Sequence, residues 1–272
     1  MTIKALLKDL APPILVRLLG SRSEPVVVEP ILPKVHSVRA GPLRGYRLLV
    51  NDHQPAFREM LDGSYDDYIW PATPEQIQSG LVIDIGAHIG YHALAFAARY
   101  PNCQVIAFEP SGVNAARLAE NLALNPELQS RVDVQQAALS DTNGSVSFNS
   151  SANIEDQTSS GGYLSEVVPP LEASIYQRSS FQPSMVNTHR LDDLARSMAW
   201  RSIRLIKIDV EGAEHLVLAG ALEVLERDRP LLLIEIHSAV CMLRVLQIVS
   251  PMGYHVRLLH EDRPGRCFIV AE

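Results

Sequence analysis

The chain has three cysteines, Cys103, Cys241 and Cys267, odd in number and far apart, so neither a disulfide framework nor a CxxC-type zinc site can be read from them. Three small core side chains in a reducing cytoplasm are expected instead. Basic residues are in deficit too, 24 Lys and Arg against 31 Asp and Glu, for a formal net charge of −7. Broad grip on phosphate backbones needs the opposite balance, so no nucleic-acid partner is expected. Long apolar runs are missing as well. In MTIKALLKDLAPPILVRLLGSR, Lys4, Lys8, Asp9 and Arg17 interrupt every run well short of the ~20 residues a membrane span needs, and neither a signal-peptide core nor an A-x-A-like cleavage site stands out. Ile3, Leu6, Leu7 and Leu10 do share one helical face. That helix is predicted to dock on the domain or on a partner subunit of a homo-oligomer; the alternative is a peripheral membrane contact through residues 1–22. Internal repeats and heptad seams are absent.

What is present suffices for one sizeable core: 47% of the 272 residues are hydrophobic. Residues 23–45 hold four prolines and read as an extended connector, followed by a short strand at Tyr46–Val50. The expected division is an N-terminal helical and extended appendage, 1–63, and a main domain, 64–272. From Leu81 onward, apolar runs at Leu81–Ile85, Val105–Phe108 and Val132–Ala138 alternate with helical stretches at Tyr91–Tyr100 and Val113–Leu124. Such alternation argues for an α/β fold, a doubly wound and mostly parallel sheet covered on both faces. Residues 140–187, rich in Ser, Asn, Gly, Gln and Pro, break the rhythm; only Val146–Phe148 reads as strand, and a substrate-side loop or lid is expected. The rhythm resumes with a helix at Leu191–Met198, a strand at Ile203–Val210, one helix from Ala213 to about Glu226, a strand at Leu231–Ile236 and a helix at Val240–Val249. Tyr254–Leu259 and Cys267–Ala271, flanking EDRPGR, read as a closing antiparallel pair.

Chemistry gathers at three strand ends. The first strand ends in Asp84-Ile85-Gly86-Ala87-His88-Ile89-Gly90, where Gly86 allows a tight turn and the N–H groups opening the next helix are expected to attract a polar or anionic ligand part. A dinucleotide fingerprint requires G-x-G-x-x-G; His88 stands where its second glycine belongs, which lowers a nicotinamide or flavin reading. Glu109, 25 positions after Asp84, closes the second strand, and Pro110 ends it. An acidic residue there can accept both hydroxyls of a ribose.

The segments VIDIGAHIGYHAL, AFEP, QQAALSDTNGSVSF, THRLDDL, IKIDVEGAEHLVLAGA and LLLIEIH run in this order from Val82 to His237. On these the chain from about Tyr65 to its end resembles the FkbM family of class I S-adenosylmethionine-dependent methyltransferases. The resemblance implies a Rossmann-like seven-stranded sheet with an antiparallel last strand, S-adenosyl-L-methionine as cofactor, and O-methylation of a hydroxyl on a small molecule, sugar or glycoside. Asp84, Gly86, Ala87, His88 and Gly90 would then surround the methionine moiety, and Glu109 beside Pro110 would hold the ribose. Ala138, Leu139, Ser140 and Asp141 would lie along the adenine, with Phe108 or Ala138 packed on the ring. His88 has a second reading as a helix cap.

Lys207-Ile208-Asp209-Val210-Glu211-Gly212-Ala213-Glu214 brings three carboxylates to a strand end, where open α/β sheets bind ligands. Asp209 and Glu211 are expected to face the transferred methyl, whereas Glu214 reads as a first-turn helix charge. In Glu235-Ile236-His237 alternation puts Glu235 and His237 on one face, and a neutral His237 could accept the acceptor's proton or orient it. His36, His53, His92, His189, His215, His255 and His260 show no such convergence. Asp209, Glu211, Glu235 and His237 could hold Mg²⁺ or a transition ion if they converge, but no paired metal-site pattern is evident and a divalent metal is not favoured. Ser159, Ser160, Gly161, Gly162 and Tyr163 are expected on the acceptor side as a lid or, equally, a disordered insertion, with Tyr65, Tyr68 and Trp70 closing the other side. Two other readings stand beside the enzyme: a nicotinamide-dependent oxidoreductase, and a non-catalytic binding or scaffold protein that kept the fold.

Overall fold

Strands buried on both faces need apolar residues at nearly every position, and GLVIDI, CQVIAF, IRLIKI and LLLIEI supply them. In the computed structural model, which describes residues 32–153, 161–167, 181–263 and 265–272, these segments form β3 (Gly80–Ile85), β4 (Cys103–Phe108), β10 (Ile203–Ile208) and β11 (Leu231–Ile236). Together with β5 (Val132–Gln135), β12 (Val256–Arg263) and β13 (Arg266–Ala271) they make one seven-stranded sheet in the order β12-β13-β11-β10-β3-β4-β5. Neighbours from β11 to β5 run parallel, while β13 is antiparallel to both β11 and β12.

Alternation along each strand divides the core in two. Val82, Val105, Leu205 and Leu233 face one layer, packed against Tyr91, Leu94 and Phe96 of α2 (Tyr91–Arg99). Ile83, Ile106, Ile206 and Ile234 face the other, against α6 (Glu214–Ala219), α7 (Leu222–Asp228) and α8 (Ala239–Val249). The remaining described helices are α1 (Pro55–Asp62), α3 (Gly112–Ala123), α4 (Pro126–Gln129) and α5 (Leu191–Ser197). All three cysteines are free, Cys103 and Cys241 buried. Among the described residues no helix is long and apolar enough to cross a membrane.

Pro33–Glu272 forms one compact unit, so the boundary expected at residues 63 and 64 falls inside it. The antiparallel pair β1 (Lys34–Ser37) and β2 (Arg47–Val50) precedes α1, and Leu43, Leu48, Val50, Phe57 and Leu61 are buried with the α2 layer. Side chains of α3 and of the turn after it complete β2: Asn121 Oδ1 accepts from Leu49 N (2.6 Å) and Asn125 Oδ1 from Arg47 N (2.9 Å). Backbone groups of a two-stranded pair are thereby satisfied without a third strand.

The stretch expected as a loop is, in its described parts, a second sheet. Strands β6 (Ala138–Leu139), β7 (Gly144–Ser151), β8 (Tyr163–Leu164) and β9 (Phe181–His189) lie in the order β6-β9-β7-β8, with β7 and β9 antiparallel from Gly144↔Thr188 to Ser151↔Phe181. One face packs through Val146, Phe148, Leu164 and Val186 against Ala138 and Ala213; the other carries Tyr163 near Phe181 and is otherwise largely Ser and Asn. The helix expected from Ala213 to Glu226 is two helices. At the break, a Cβ on Gly220 would lie 2.1 Å from the Ser140 carbonyl oxygen, so the β6 end sits where a side chain would stand. Residues 1–22 and the pair Ser159, Ser160 lie outside the described residues.

Candidate active site

Gly86 turns the chain at φ +80°, and a Cβ there would fall 1.8 Å from the Asp209 carbonyl oxygen, so β3 and β10 meet backbone to backbone. Both Gly86 N and Ala87 N donate to Phe108 O, at 2.9 and 3.0 Å, and Gly90 N donates to Ala87 O at 2.8 Å. His88, itself left-handed at φ +50°, donates its N–H to Glu109 Oε2 at 2.8 Å. These N–H groups therefore do not form the open anion cradle expected of them; they lock the turn to the end of β4.

Glu109 is the centre of that lock. Its Oε1 accepts from Ser111 N at 2.8 Å and Asn114 Nδ2 at 3.4 Å. Burial pushes its pKa up to about 7 against the pull of those donors. Beside it opens a cleft of about 810 Å³, solvent mouth included, whose walls contain Gly86, Ala87, His88, Glu109, Pro110, Ala138, Leu139 and Asp209 of the expected residues. Ile85 and Phe108 add apolar surface, and Phe148, Gly162 and Leu164 bring the second sheet to the rim.

Other expected residues stand back from the cleft. Asp84 is fully buried, 3.6 Å from Lys207 Nζ. Gly90, at φ +89°, is required by the 2.7 Å approach a Cβ would make to Leu118. Asp141 is exposed and accepts from Ser140 Oγ. Tyr163 is buried near Phe181, and its neighbours Gly162 and Leu164, not Tyr163, line the cleft. Tyr68 donates to Asp66 Oδ1 at 2.8 Å and stacks on His260.

At the carboxyl ends of β10 and β11 the structure gathers all four acidic and His candidates. His237 Nδ1 lies 2.6 Å from Glu214 Oε1, and its Nε2 lies 3.4 Å from Glu211 Oε2, 3.7 Å from Asp209 Oδ1 and 3.8 Å from Glu235 Oε1. Burial alone would lower its pKa, yet Glu211, Glu214 and Glu235 raise it to about 10. These carboxylates favour the protonated ring, which suits the orienting role expected of His237 better than that of a base. Asp209 is held at about 2: burial raises it, and Lys207, His237 and Arg266 overcome that. Glu235 goes up to about 8, through burial and then Asp209, although Arg266 Nε donates to its Oε1 at 2.6 Å.

Sequence reasoning missed several members. Lys207 is 1% exposed between Asp84 and Asp209 (Nζ to Oδ2 3.3 Å), and burial, which would lower it, is outweighed by those carboxylates. A lysine inside the apolar run IRLIKI was a readable signal, since such a residue is buried only when paired. Glu214 is buried against His237, beyond its helix-end role. Arg266 had no local signal. Tyr65 lines the cleft as expected, while Tyr68 and Trp70 do not; His92, not expected there, lines it too, neutral because burial holds it well below its ordinary value. Asp66, Tyr65's neighbour, is raised to about 6 by burial. Of the six described non-glycine residues with positive φ, three, Asp66, His88 and Glu211, belong to this region.

A family model described as the methyltransferase FkbM domain matches residues 84–256. The chain is similar to the 2-O-methyltransferase NoeI of Sinorhizobium fredii, 35% identical over 153 residues that cover 55% of this chain and 60% of that protein. It is also similar to the 31-O-demethyl-FK506 methyltransferase FkbM of Streptomyces tacrolimicus, 33% identical over 52% of this chain and 58% of that one. The match thus spans about three fifths of these relatives' length. Among solved structures, the methyltransferase FkbM of Methylobacillus flagellatus shares the fold with a TM-score of 0.52 at 18% identity, covering 74% of this chain and 45% of the other.

Proposed function

The chain belongs to the FkbM methyltransferase family, and from that premise we propose that it moves the methyl group of S-adenosylmethionine to a hydroxyl oxygen of a small molecule, sugar or glycoside. One observation carries the choice of donor. The turn N–H groups that would cradle a pyrophosphate already bond to Phe108 O, Ala87 O and Glu109, and the cleft wall presents the carboxylates of Glu109 and Asp209. A cationic sulfonium donor with a ribose suits that wall; the dinucleotide of a nicotinamide oxidoreductase does not.

The residues present fit the donor. Glu109 is fixed by three N–H donors and keeps lone pairs for a ribose diol, and Phe108, Ala138 and Leu139 offer apolar contact to a flat base. The close approach at Gly86 keeps the wall free of a side chain. Once bound, the sulfonium supplies an electrophilic methyl group. The chain's own part is mainly to align acceptor and donor, because the electrophile arrives already activated. Asp209 lines the cleft and receives the acceptor's proton. As the new C–O bond forms, the hydroxyl proton becomes as acidic as that of an oxonium, so a carboxylate of low pKa suffices; the electron pair of the breaking C–S bond stays on sulfur. Lys207 and the His237 cation hold Asp209 in place and ionised.

Titration calorimetry with S-adenosylhomocysteine and with NAD separates the two donor classes. Saturable heat with the first and none with the second is expected; the reverse sinks the proposal. Turnover across hydroxylated acceptors, read as methylated product by mass spectrometry, then tests the acceptor class and separates an enzyme from a silent scaffold.

A further inference from the structure

Asp209, Glu235 and His237 each offer a ligand atom, and these atoms lie within 4.8 Å of one another. Acidic clusters are common without an ion, but here buried atoms aimed into the cluster are left over. His237 Nε2 and Glu211 Oε2 make no hydrogen bond, and their side chains are 2% and 8% exposed. On the far side of the ring, Nδ1 is held at 2.6 Å by Glu214, itself fixed through Gly212 N at 2.9 Å and Cys241. A carboxylate that fixes one ring nitrogen and turns the other toward a set of oxygens is the arrangement that surrounds metal-bound imidazoles.

We propose that Asp209, Glu235 and His237 Nε2 bind one divalent first-row metal ion of the kind that takes mixed carboxylate and imidazole ligands, Mn²⁺ being the best probe, with Glu211 available as a fourth ligand and Glu214 as the outer carboxylate. Ligand atoms about 2.1 Å from one ion lie at most about 4.2 Å apart, so the cluster needs to contract by less than an ångström. Charge points the same way: Lys207 is shared by Asp84 and Asp209, Arg266 pairs with Glu235, and Glu211 and Glu214 face His237, so carboxylates outnumber fixed cations around the cluster. One nitrogen among oxygens disfavours Ca²⁺ and Mg²⁺, which prefer oxygen alone. The site stands on this side-chain geometry and does not depend on the methyl-transfer reading.

The test uses the tag-free full chain, stripped with a chelator and exchanged into chelator-free buffer, then titrated with Mn²⁺ while electron paramagnetic resonance follows the free ion. One bound equivalent, with hyperfine coupling from a single imidazole nitrogen in the pulsed spectrum, is expected. Asp209→Asn and Glu235→Gln should each weaken binding about 100-fold, and Glu214→Gln about 10–100-fold. The surface control Glu223→Gln should leave it unchanged. No saturable binding up to millimolar Mn²⁺, or binding without nitrogen coupling, overturns the proposal. Because the nitrogen coupling is read on the unmodified chain, the result stands even where a variant fails to fold.

Discussion

On the β3–β4 side the cleft is shaped by backbone: Gly86 N and Ala87 N on the Phe108 carbonyl, His88 N on Glu109, and two glycines whose missing side chains let neighbouring segments close in. On the β10–β11 side Lys207 and Asp209 reach the cleft, and a set of opposite charges stands behind them: Lys207 against Asp84 and Asp209, His237 against Asp209, Glu211, Glu214 and Glu235, and Arg266 against Glu235. The first wall depends on residue size and φ, the second on every partner keeping its charge. Each can be broken in its own way, and the two should respond differently to substitution and to pH.

The largest effect is expected from Gly86→Ala. Its Cβ would meet the Asp209 carbonyl at 1.8 Å, and a backbone atom cannot rotate away. A loss above about 5 kcal/mol, or no folded protein, should appear in urea unfolding. Gly253 has nearly the same φ, +79°, with nothing within 4 Å of its Cβ; Gly253→Ala should lose only about 1–2 kcal/mol, the cost of a left-handed backbone by itself. Equal losses would mean that the turn is not held by close approach.

On the charged wall, Glu214→Ala leaves His237 without its 2.6 Å partner in a buried site. Removing one member of such a pair destabilises by about 3–5 kcal/mol. A loss below about 1 kcal/mol by the same urea measurement would show that the remaining carboxylates, or an ion at Nε2, carry the imidazole without it.

These two walls were not equally legible. The first follows from local spacing: D-I-G-A-H-I-G marks a strand-to-helix turn, and a Glu closing the next strand falls beside it in any parallel sheet. Of the second, sequence named Asp209, Glu211, Glu235 and His237 because polar groups ending apolar strands stand out. Their electrostatics did not follow. His237 becomes a cation through carboxylates from two strand ends and a helix, and Arg266 reaches Glu235 only through the β11–β13 register, in which Ile236 pairs with Cys267. Of the second sheet only Val146–Phe148, inside β7, was legible, because β7 and β9 are built largely of Ser, Asn and Gln. Of residues 33–63 the strand at Tyr46–Val50 was legible, as β2, and the rest was not, because short elements bury apolar side chains without a period.

The two walls also differ in pH response, with opposite sign at their histidines. Burial lowers His88 to about 4 from an ordinary 6.5, against the opposing pull of Asp209. Below pH 6.5 the unfolded chain takes up a proton that the folded chain refuses, so stability falls as pH drops from 6.5 toward 4. His237 is raised from 6.5 to about 10 by its carboxylates despite burial. Its contribution is complete below 6.5 and is lost as pH rises through 10. Glu109, near 7, and Glu235, near 8, add losses of stability toward higher pH, the second continuing through pH 8, and burial that raises the Cys241 thiol adds another above about pH 9, so the share of His237 is identified by following its ring directly. A melting temperature that declines between pH 8 and 10, with the His237 ring signals titrating there by NMR, is expected. A His237 ring that titrates near 6.5 would mean that the carboxylates do not hold its proton.

The smallest effect is expected at His88, whose backbone matters more than its ring. Its N–H bond to Glu109 survives any non-proline substitution, and its φ of +50° is one that Asn tolerates better than other side chains do. What His88→Asn removes is a neutral ring lying 6.0 Å from Phe57 at 20°. Stability should change by less than about 1 kcal/mol and S-adenosylhomocysteine affinity by less than about fivefold. His88→Val keeps the N–H bond but forces a β-branched residue into the left-handed region, and should lose about 1–3 kcal/mol. If calorimetry instead shows binding abolished by Asn and retained by the strained Val, the imidazole itself touches the donor, and the β3–β4 wall reads its ligand through a side chain after all.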